Sequence, residues 1–97
     1  MATYIVLGQF TEQGIKNIKK TTERAKAIKD LVKKTGVTVK EIYWTLGHHD
    51  VVTIAEAPDD ESATAFLLSA AGQGNLRTQS MRAFSGAEMD RILSKMT

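Results

Sequence analysis

The alternation of apolar and polar residues divides the chain into short strands and amphipathic helices. Residues 3–10, TYIVLGQF, are β-branched or aromatic, a pattern that predicts a strand. After them, inward-facing positions recur at helical spacing with lysines and arginines between them. These positions are Ile18, Thr22, Ala25, Ile28 and Val32. We expect Thr21 or Thr22 to cap this helix and Gly36 to end it, because glycine tolerates a positive φ. Gly14 weakens the preceding segment as a helix.

A hairpin is predicted in the middle of the chain. Residues 37–46, VTVKEIYWTL, form the second strand, with Ile42, Trp44 and Leu46 on one side and Tyr43 on the other. Residues 50–57, DVVTIAEA, form the third strand. Only Gly47-His48-His49 separate the two strands, and so short a connection predicts an antiparallel pair.

Two further helices enclose a fourth strand. Asp59 is expected to cap the first of them, whose acidic first turn complements the helix dipole. Its apolar stripe comprises Ala63, Phe66, Leu67, Ala70 and Ala71. Residues 76–84, LRTQSMRAF, are the strand, and Ser85 with Glu88 forms a capping box for the final helix. The residues expected to supply the buried face of that helix are Met89, Ile92, Leu93 and Met96.

The predicted order, β-α-β-β-α-β plus a terminal helix, defines the fold class. With right-handed crossovers it gives an α+β, ferredoxin-like sheet with strands arranged 4-1-3-2. Helices cover only one face of such a sheet. Ninety-seven residues without a linker or repeat make a single domain, residues 1–97.

The strands carry apolar side chains on both faces, which bears on assembly. Tyr4 and Val6 alternate with Ile5 and Leu7, and the third strand follows the same pattern. A sheet with one face in water alternates more cleanly. We therefore expect a homodimer packed sheet to sheet, or a higher oligomer built from it. The alternative is a surface that tolerates a few apolar residues.

Composition and charge exclude several classes. The chain has no cysteine, so disulfide and thiolate chemistry are absent. No apolar run approaches the ~20 residues of a membrane span, and the N-terminus lacks the basic region of a signal peptide, so we predict a cytoplasmic protein without membrane contact. Eight lysines and arginines lie between Lys16 and Lys34, but no aromatic residues lie among them. This pattern favours a solvated helix over a nucleic-acid partner.

The candidate chemistry centres on GHHD, residues 47–50. His48 and His49 are the only histidines, and Asp50 follows them. Consecutive residues of an extended chain point to opposite sides, so the pair is a poor chelate, and we predict no metal and no cofactor. An ordinary imidazole titrates near pH ~6.5, so acid–base catalysis by a histidine with Asp50 is one alternative. The other is a polar turn made by Gly47 and Asp50.

A second set of candidates is aromatic. Tyr43, together with Tyr4, Phe10 and Arg82, could line a pocket for a small aromatic or amphiphilic ligand. Trp44 is expected in the core. If the helices cover the other face of the sheet, Trp44 is expected in that pocket instead. These five residues are the predicted ligand-binding set.

The chain resembles the GYD domain family in TYIVLGQFTEQGIKNIK, in YWTLGHHDVVTIAEAPDDESA and in GNLRTQSMRAFS. Gly47 and Asp50 resemble the glycine and aspartate of the family's turn, and His49 stands at the tyrosine position. The resemblance implies a ferredoxin-like fold of the dimeric α/β-barrel type and carries over no catalytic residue. It favours a domain that binds a small molecule or acts as a regulatory module. The alternative is a cofactor-independent oxygenase or isomerase that uses His48 or His49 with Asp50.

Overall fold

Four strands form one antiparallel sheet in a computed structural model that describes all residues, 1–97. The strands are β1 (Ala2–Phe10), β2 (Thr38–Trp44), β3 (Val51–Ala57) and β4 (Leu76–Ala83). Their order across the sheet is β2-β3-β1-β4, which confirms the predicted ferredoxin-like arrangement. The hydrophobic β1 is central, pairing Tyr4 with Ala55 on one side and Arg82 on the other.

The helical segments are α1 (Glu12–Lys16), α2 (Thr21–Leu31), α3 (Asp60–Ala71) and α4 (Gly86–Ser94). A 3₁₀ turn precedes α2 at Ile18–Lys20 and another follows it at Val32–Thr35. The first predicted helix is therefore divided into shorter pieces, and Gly14 lies inside the separate helix α1, whose C-cap is Asn17. None of the helices combines the length and hydropathy that crossing a bilayer requires.

Three of the predicted helix ends are confirmed and one is wrong. Asp59 accepts the backbone N–H of Ser62 at 2.8 Å, which lowers the pKa of its carboxyl, and the Ser85–Glu88 capping box is present. Gly36 ends the turn after α2 with φ +83°. By contrast, neither Thr21 nor Thr22 caps α2. Lys20 precedes the helix without a side-chain cap.

The reason for the wrong cap is a tertiary hydrogen bond. The Thr21 hydroxyl accepts the indole N–H of Trp44 at 3.0 Å instead of a backbone N–H of its own helix. Trp44 lies on the helix side of the edge strand β2 and stays 43% exposed, so this bond anchors α2 to the sheet without full burial.

The core lies between the sheet and the helices on one face only. Its buried residues are Tyr4, Val6, Val32, Val37, Val39, Ala55, Ala57, Ala63 and Phe66. The predicted stripe of α3 is largely confirmed, since Ala63, Phe66 and Ala70 are buried. Only 13 of the 97 residues are buried, so the core of a single chain is thin.

The opposite face of the sheet, called here the open face, carries no helix. Its apolar side chains come from three adjacent strands, as the strand register shows. They are Ile5, Leu7, Val52, Ile54 and Met81. The first four are half-buried by their neighbours in the sheet, and Met81 is 43% exposed. The sequence pattern of apolar residues on both faces is thus a real property of the sheet.

The predicted burial of the α4 face is wrong. Met89, Ile92 and Leu93 are 44%, 37% and 49% exposed, and Met96 beyond the helix is 71% exposed. The helix follows the last edge strand, and no other helix or strand packs closely against it. Helical periodicity identifies an apolar face correctly but does not show whether the chain itself provides a surface to cover it.

Gly14 provides a test of how tightly α1 docks. A Cβ at this position would lie 2.2 Å from the carbonyl oxygen of Asn75, which also accepts the N–H of Thr11 at 3.1 Å. We expect Gly14→Ala to lower the free energy of unfolding by ~1–3 kcal/mol, as overpacking does. Urea denaturation measures the change.

The matched control is Gly86→Ala, where a Cβ would meet nothing within 4 Å. This variant should keep the stability of the parent chain. Equal stability of both variants would show that α1 moves freely away from Asn75.

Candidate functional site

The connection between β2 and β3 spans residues 45–50, longer than the three residues that the sequence predicted. Its two ends are joined by hydrogen bonds. The Thr45 N–H donates to the Asp50 carbonyl at 2.8 Å, and the Thr45 hydroxyl donates to the His49 carbonyl at 2.6 Å. Gly47 has φ +123°, a conformation that favours glycine. The turn is therefore closed by the backbone and hydroxyl of Thr45 and not by the imidazoles, of which His48 has its Nε2 atom 3.5 Å from the side-chain nitrogen of Gln9.

Asp50 ties this turn to β1. Its carboxylate accepts the backbone N–H of Phe10 at 2.9 Å, and its own N–H donates to the Gly8 carbonyl at 2.8 Å. The carboxylate makes no hydrogen bond to either histidine. In this geometry Asp50 is a structural residue, and the His–Asp pair needed for acid–base catalysis is not assembled.

The two imidazoles lie side by side. Their ring centroids are 4.9 Å apart at an interplanar angle of 41°. His48 is exposed, and its carbonyl accepts the Gln9 side-chain N–H at 2.9 Å. The Nδ1 atom of His49 is buried and has no hydrogen-bond partner. No group of three or more histidine, aspartate and glutamate side chains is arranged to hold a metal ion.

A depression of about 220 Å³, called here the His–Arg depression, lies beside the histidines. Strands β1 and β4 supply the rest of it, because Gln9 pairs with Arg77 and Leu7 with Gln79. The lining residues are Leu7, Gln9, His48, His49, Arg77, Thr78 and Gln79. Sequence reasoning missed Gln9, Arg77 and Gln79, since only the register of β1 against β4 brings them to the histidines.

The predicted ligand-binding set is divided over separate places. Tyr4 and Arg82 are opposite each other near the first residues of β1, with the guanidinium 5.8 Å from the Tyr4 ring centroid. The Tyr4 hydroxyl donates to Asp60, and this hydrogen bond, followed by burial, raises the pKa of the phenol. Arg82 also pairs with Glu88 at 3.5 Å, so it fixes the start of α4.

Phe10 and Trp44 lie near the other end of β1, where they line a small cavity of about 40 Å³ under α2. Tyr43 is on the open face, 53% exposed, and its hydroxyl donates to Glu41. The expectation that Tyr43 shares a face with Tyr4, Phe10 and Arg82 is therefore wrong. Consecutive side chains of a strand point to opposite faces of the sheet, so an offset of one residue places a side chain on the other face.

Comparison with known proteins places the chain in a family. The family described as GYD domain matches residues 4–93, and the chain belongs to it. A relative from Thermus thermophilus is 32% identical over 90 residues. The alignment covers 92% of this chain and 95% of the relative, which is named glutamine synthetase and cystathionine beta-lyase binding protein.

Solved structures support the fold. A crystal structure of a protein from Thermus thermophilus matches with a TM-score of 0.57 at 20% identity, covering 89% of this chain and 96% of that one. The crystal structure of MtbAldR matches with a TM-score of 0.65 at 12% identity, covering 90% of this chain and 56% of that one. At these identities the likeness concerns the fold alone.

The role assigned to Asp50 can be tested by stability. Asp50→Ala leaves the Phe10 N–H without its carboxylate acceptor, and we expect the free energy of unfolding to fall by ~1–3 kcal/mol. Asp50→Asn keeps an acceptor oxygen and should recover part of the loss. Thermal or urea denaturation provides the measurement.

Asp90→Ala, on the exposed side of α4, is the control and should change stability little. If Asp50→Ala is as stable as the parent chain, the carboxylate does not hold the turn to β1. Asp50 would then be available to pair with a histidine, as the acid–base alternative requires.

Proposed function

We propose that this GYD domain is a regulatory binding module that works as a homodimer packed through its open face and binds a small molecule. The open face is the observation that carries the proposal. It presents Ile5, Leu7 and Ile54 from adjacent strands, and no element of the chain covers them. A contiguous apolar surface of this kind marks an interaction site more often than a solvated surface.

A second copy of the chain is the occupant that fits this face. Two antiparallel sheets pack face to face at about 10 Å with their apolar side chains interdigitated. A twofold axis lets the same patch serve both subunits. Association also compensates for the thin core of the single chain, because the open face would become a second apolar layer.

Binding is favoured over catalysis by the position of Asp50. The cofactor-independent enzyme requires a carboxylate that orients a histidine, whereas the Asp50 carboxylate holds the Phe10 N–H. No observation in the site favours the enzyme. A binding module needs only the accessible surfaces that are present.

Light scattering tests the dimer. The parent chain should scatter as twice its 10.6 kDa mass at micromolar concentration. Ile54→Lys should yield the monomer, because a charge in the middle of the packed sheets would lose its hydration. Circular dichroism checks that the Ile54→Lys variant is folded. Met81→Lys, at an exposed position of the open face, provides a second test of the same interface by light scattering.

Leu68→Lys is the matched control, since Leu68 is 68% exposed on α3, away from the open face. It should remain a dimer. A parent chain that scatters as a monomer, or an Ile54→Lys variant that remains dimeric, contradicts the proposed interface.

A second candidate function is binding to a metabolic enzyme. The observation that favours it is the 32% identity, over nearly the full length of both chains, to the binding protein from Thermus thermophilus. We expect the immobilised chain to bind glutamine synthetase or cystathionine beta-lyase from its own organism saturably in interferometry, with serum albumin as the control. If neither enzyme binds above the albumin response, this candidate is rejected.

A further inference from the structure

We propose that the His–Arg depression is a binding site for a small carboxylate anion. The inference rests on the proposed small-molecule binding and specifies where the ligand binds and to which chemical class it belongs. Three observations carry it: the charge of the lining, the accessible Arg77 and the volume.

The lining of the depression is cationic or neutral. Arg77 contributes a permanent positive charge, and neither aspartate nor glutamate is among the lining residues. The nearest carboxylate in sequence, that of Asp50, is engaged with the backbone N–H of Phe10. An anion entering the depression therefore meets attraction without a competing negative charge.

Polar groups at the site are without partners inside the chain. The Nδ1 atom of His49 is buried and makes no hydrogen bond, although buried polar atoms are normally paired. Arg77 is exposed and takes part in none of the ion pairs of the chain. The Arg77 guanidinium gains a partner if a ligand oxygen binds between the turn and β4, whereas the His49 Nδ1 atom is buried and is not among the expected ligand contacts.

The choice of a carboxylate follows from the donor set. A guanidinium presents two parallel N–H groups that match the two oxygens of a carboxylate. Phosphate sites usually combine several cations or a run of backbone N–H groups, which this lining lacks. Gln79 offers a carboxamide that can bind a second polar group of the ligand, whereas the amide N–H of Gln9 donates to the His48 carbonyl.

The size of the depression limits the ligand. Its volume of about 220 Å³ equals that of roughly seven water molecules in the liquid, so it admits a short mono- or dicarboxylic acid. Leu7, Gln9, Arg77 and Gln79 are all on the open face by the strand register, so the depression lies on the surface proposed for dimerisation, at the end next to the β2–β3 turn.

An NMR titration with three probes tests the site: succinate, the neutral isostere succinamide and inorganic phosphate. We expect succinate to cause saturable shifts centred on His48, His49 and Arg77, and succinamide to cause none. Phosphate should bind more weakly than succinate. Arg77→Gln should weaken succinate binding at least about tenfold, because a charge-assisted bidentate pair is lost.

Arg91→Gln is the matched control, since Arg91 is an exposed arginine on α4 outside the depression. It should bind succinate as the parent chain does. Equal affinity for succinate and succinamide, tighter binding of phosphate, or full affinity in Arg77→Gln overturns the inference. So does the absence of any saturable shift.

The outcomes separate this inference from the proposed function. Saturable shifts that map to another part of the chain reject the His–Arg depression and leave small-molecule binding in place. Light scattering decides the homodimer separately, because it measures the mass of the particle and does not depend on ligand binding.

Discussion

The rest of the structure depends on one constraint: a four-stranded sheet has two faces, and this chain has helices for only one of them. The helices bury Tyr4, Val6 and Val39 on their side and leave Ile5, Leu7 and Ile54 on the other. The thin core, the proposed homodimer and the position of the His–Arg depression all follow from this asymmetry. In a sheet covered on both faces, the same residues would be ordinary core.

The turn between β2 and β3 illustrates how structural and chemical roles are divided among adjacent residues. Asp50 is occupied by the backbone of β1, and Gly47 supplies the positive φ. Together with the hydrogen bonds of Thr45 these residues hold the turn, and the neighbouring imidazoles lie beside Gln9 and Arg77. A catalytic interpretation of GHHD pairs the Asp50 carboxylate with a histidine, whereas in the structure this carboxylate accepts the backbone N–H of Phe10. The proposed role of this site is therefore to hold an anion.

Much of the fold could be predicted because local patterns were consistent with one another. Strand alternation, the caps at Asp59 and Ser85, and the stop at Gly36 all appear in the structure. The cap of α2 could not be predicted, because the Thr21 hydroxyl bonds to Trp44, 23 residues away. The exposure of Ile92 on α4 also escaped prediction, because periodicity does not show what packs against a helix. Of the candidate site, the histidines were identified, but Arg77 was not.

The sequence by itself determined the apolar character of both sheet faces and the location of the distinctive turn, because each follows from side-chain pattern and turn chemistry over a few residues. It also determined the strand order, because the succession of strands and helices with right-handed crossovers leaves few arrangements. Only the tertiary structure decided which face the helices cover, that Tyr43 lies opposite Tyr4, and that Arg77 adjoins the histidines. The physical reason is that a shift of one residue in the pairing of two strands moves every side chain to the opposite face. Local sequence does not set this register, because it depends on pairing between distant strands.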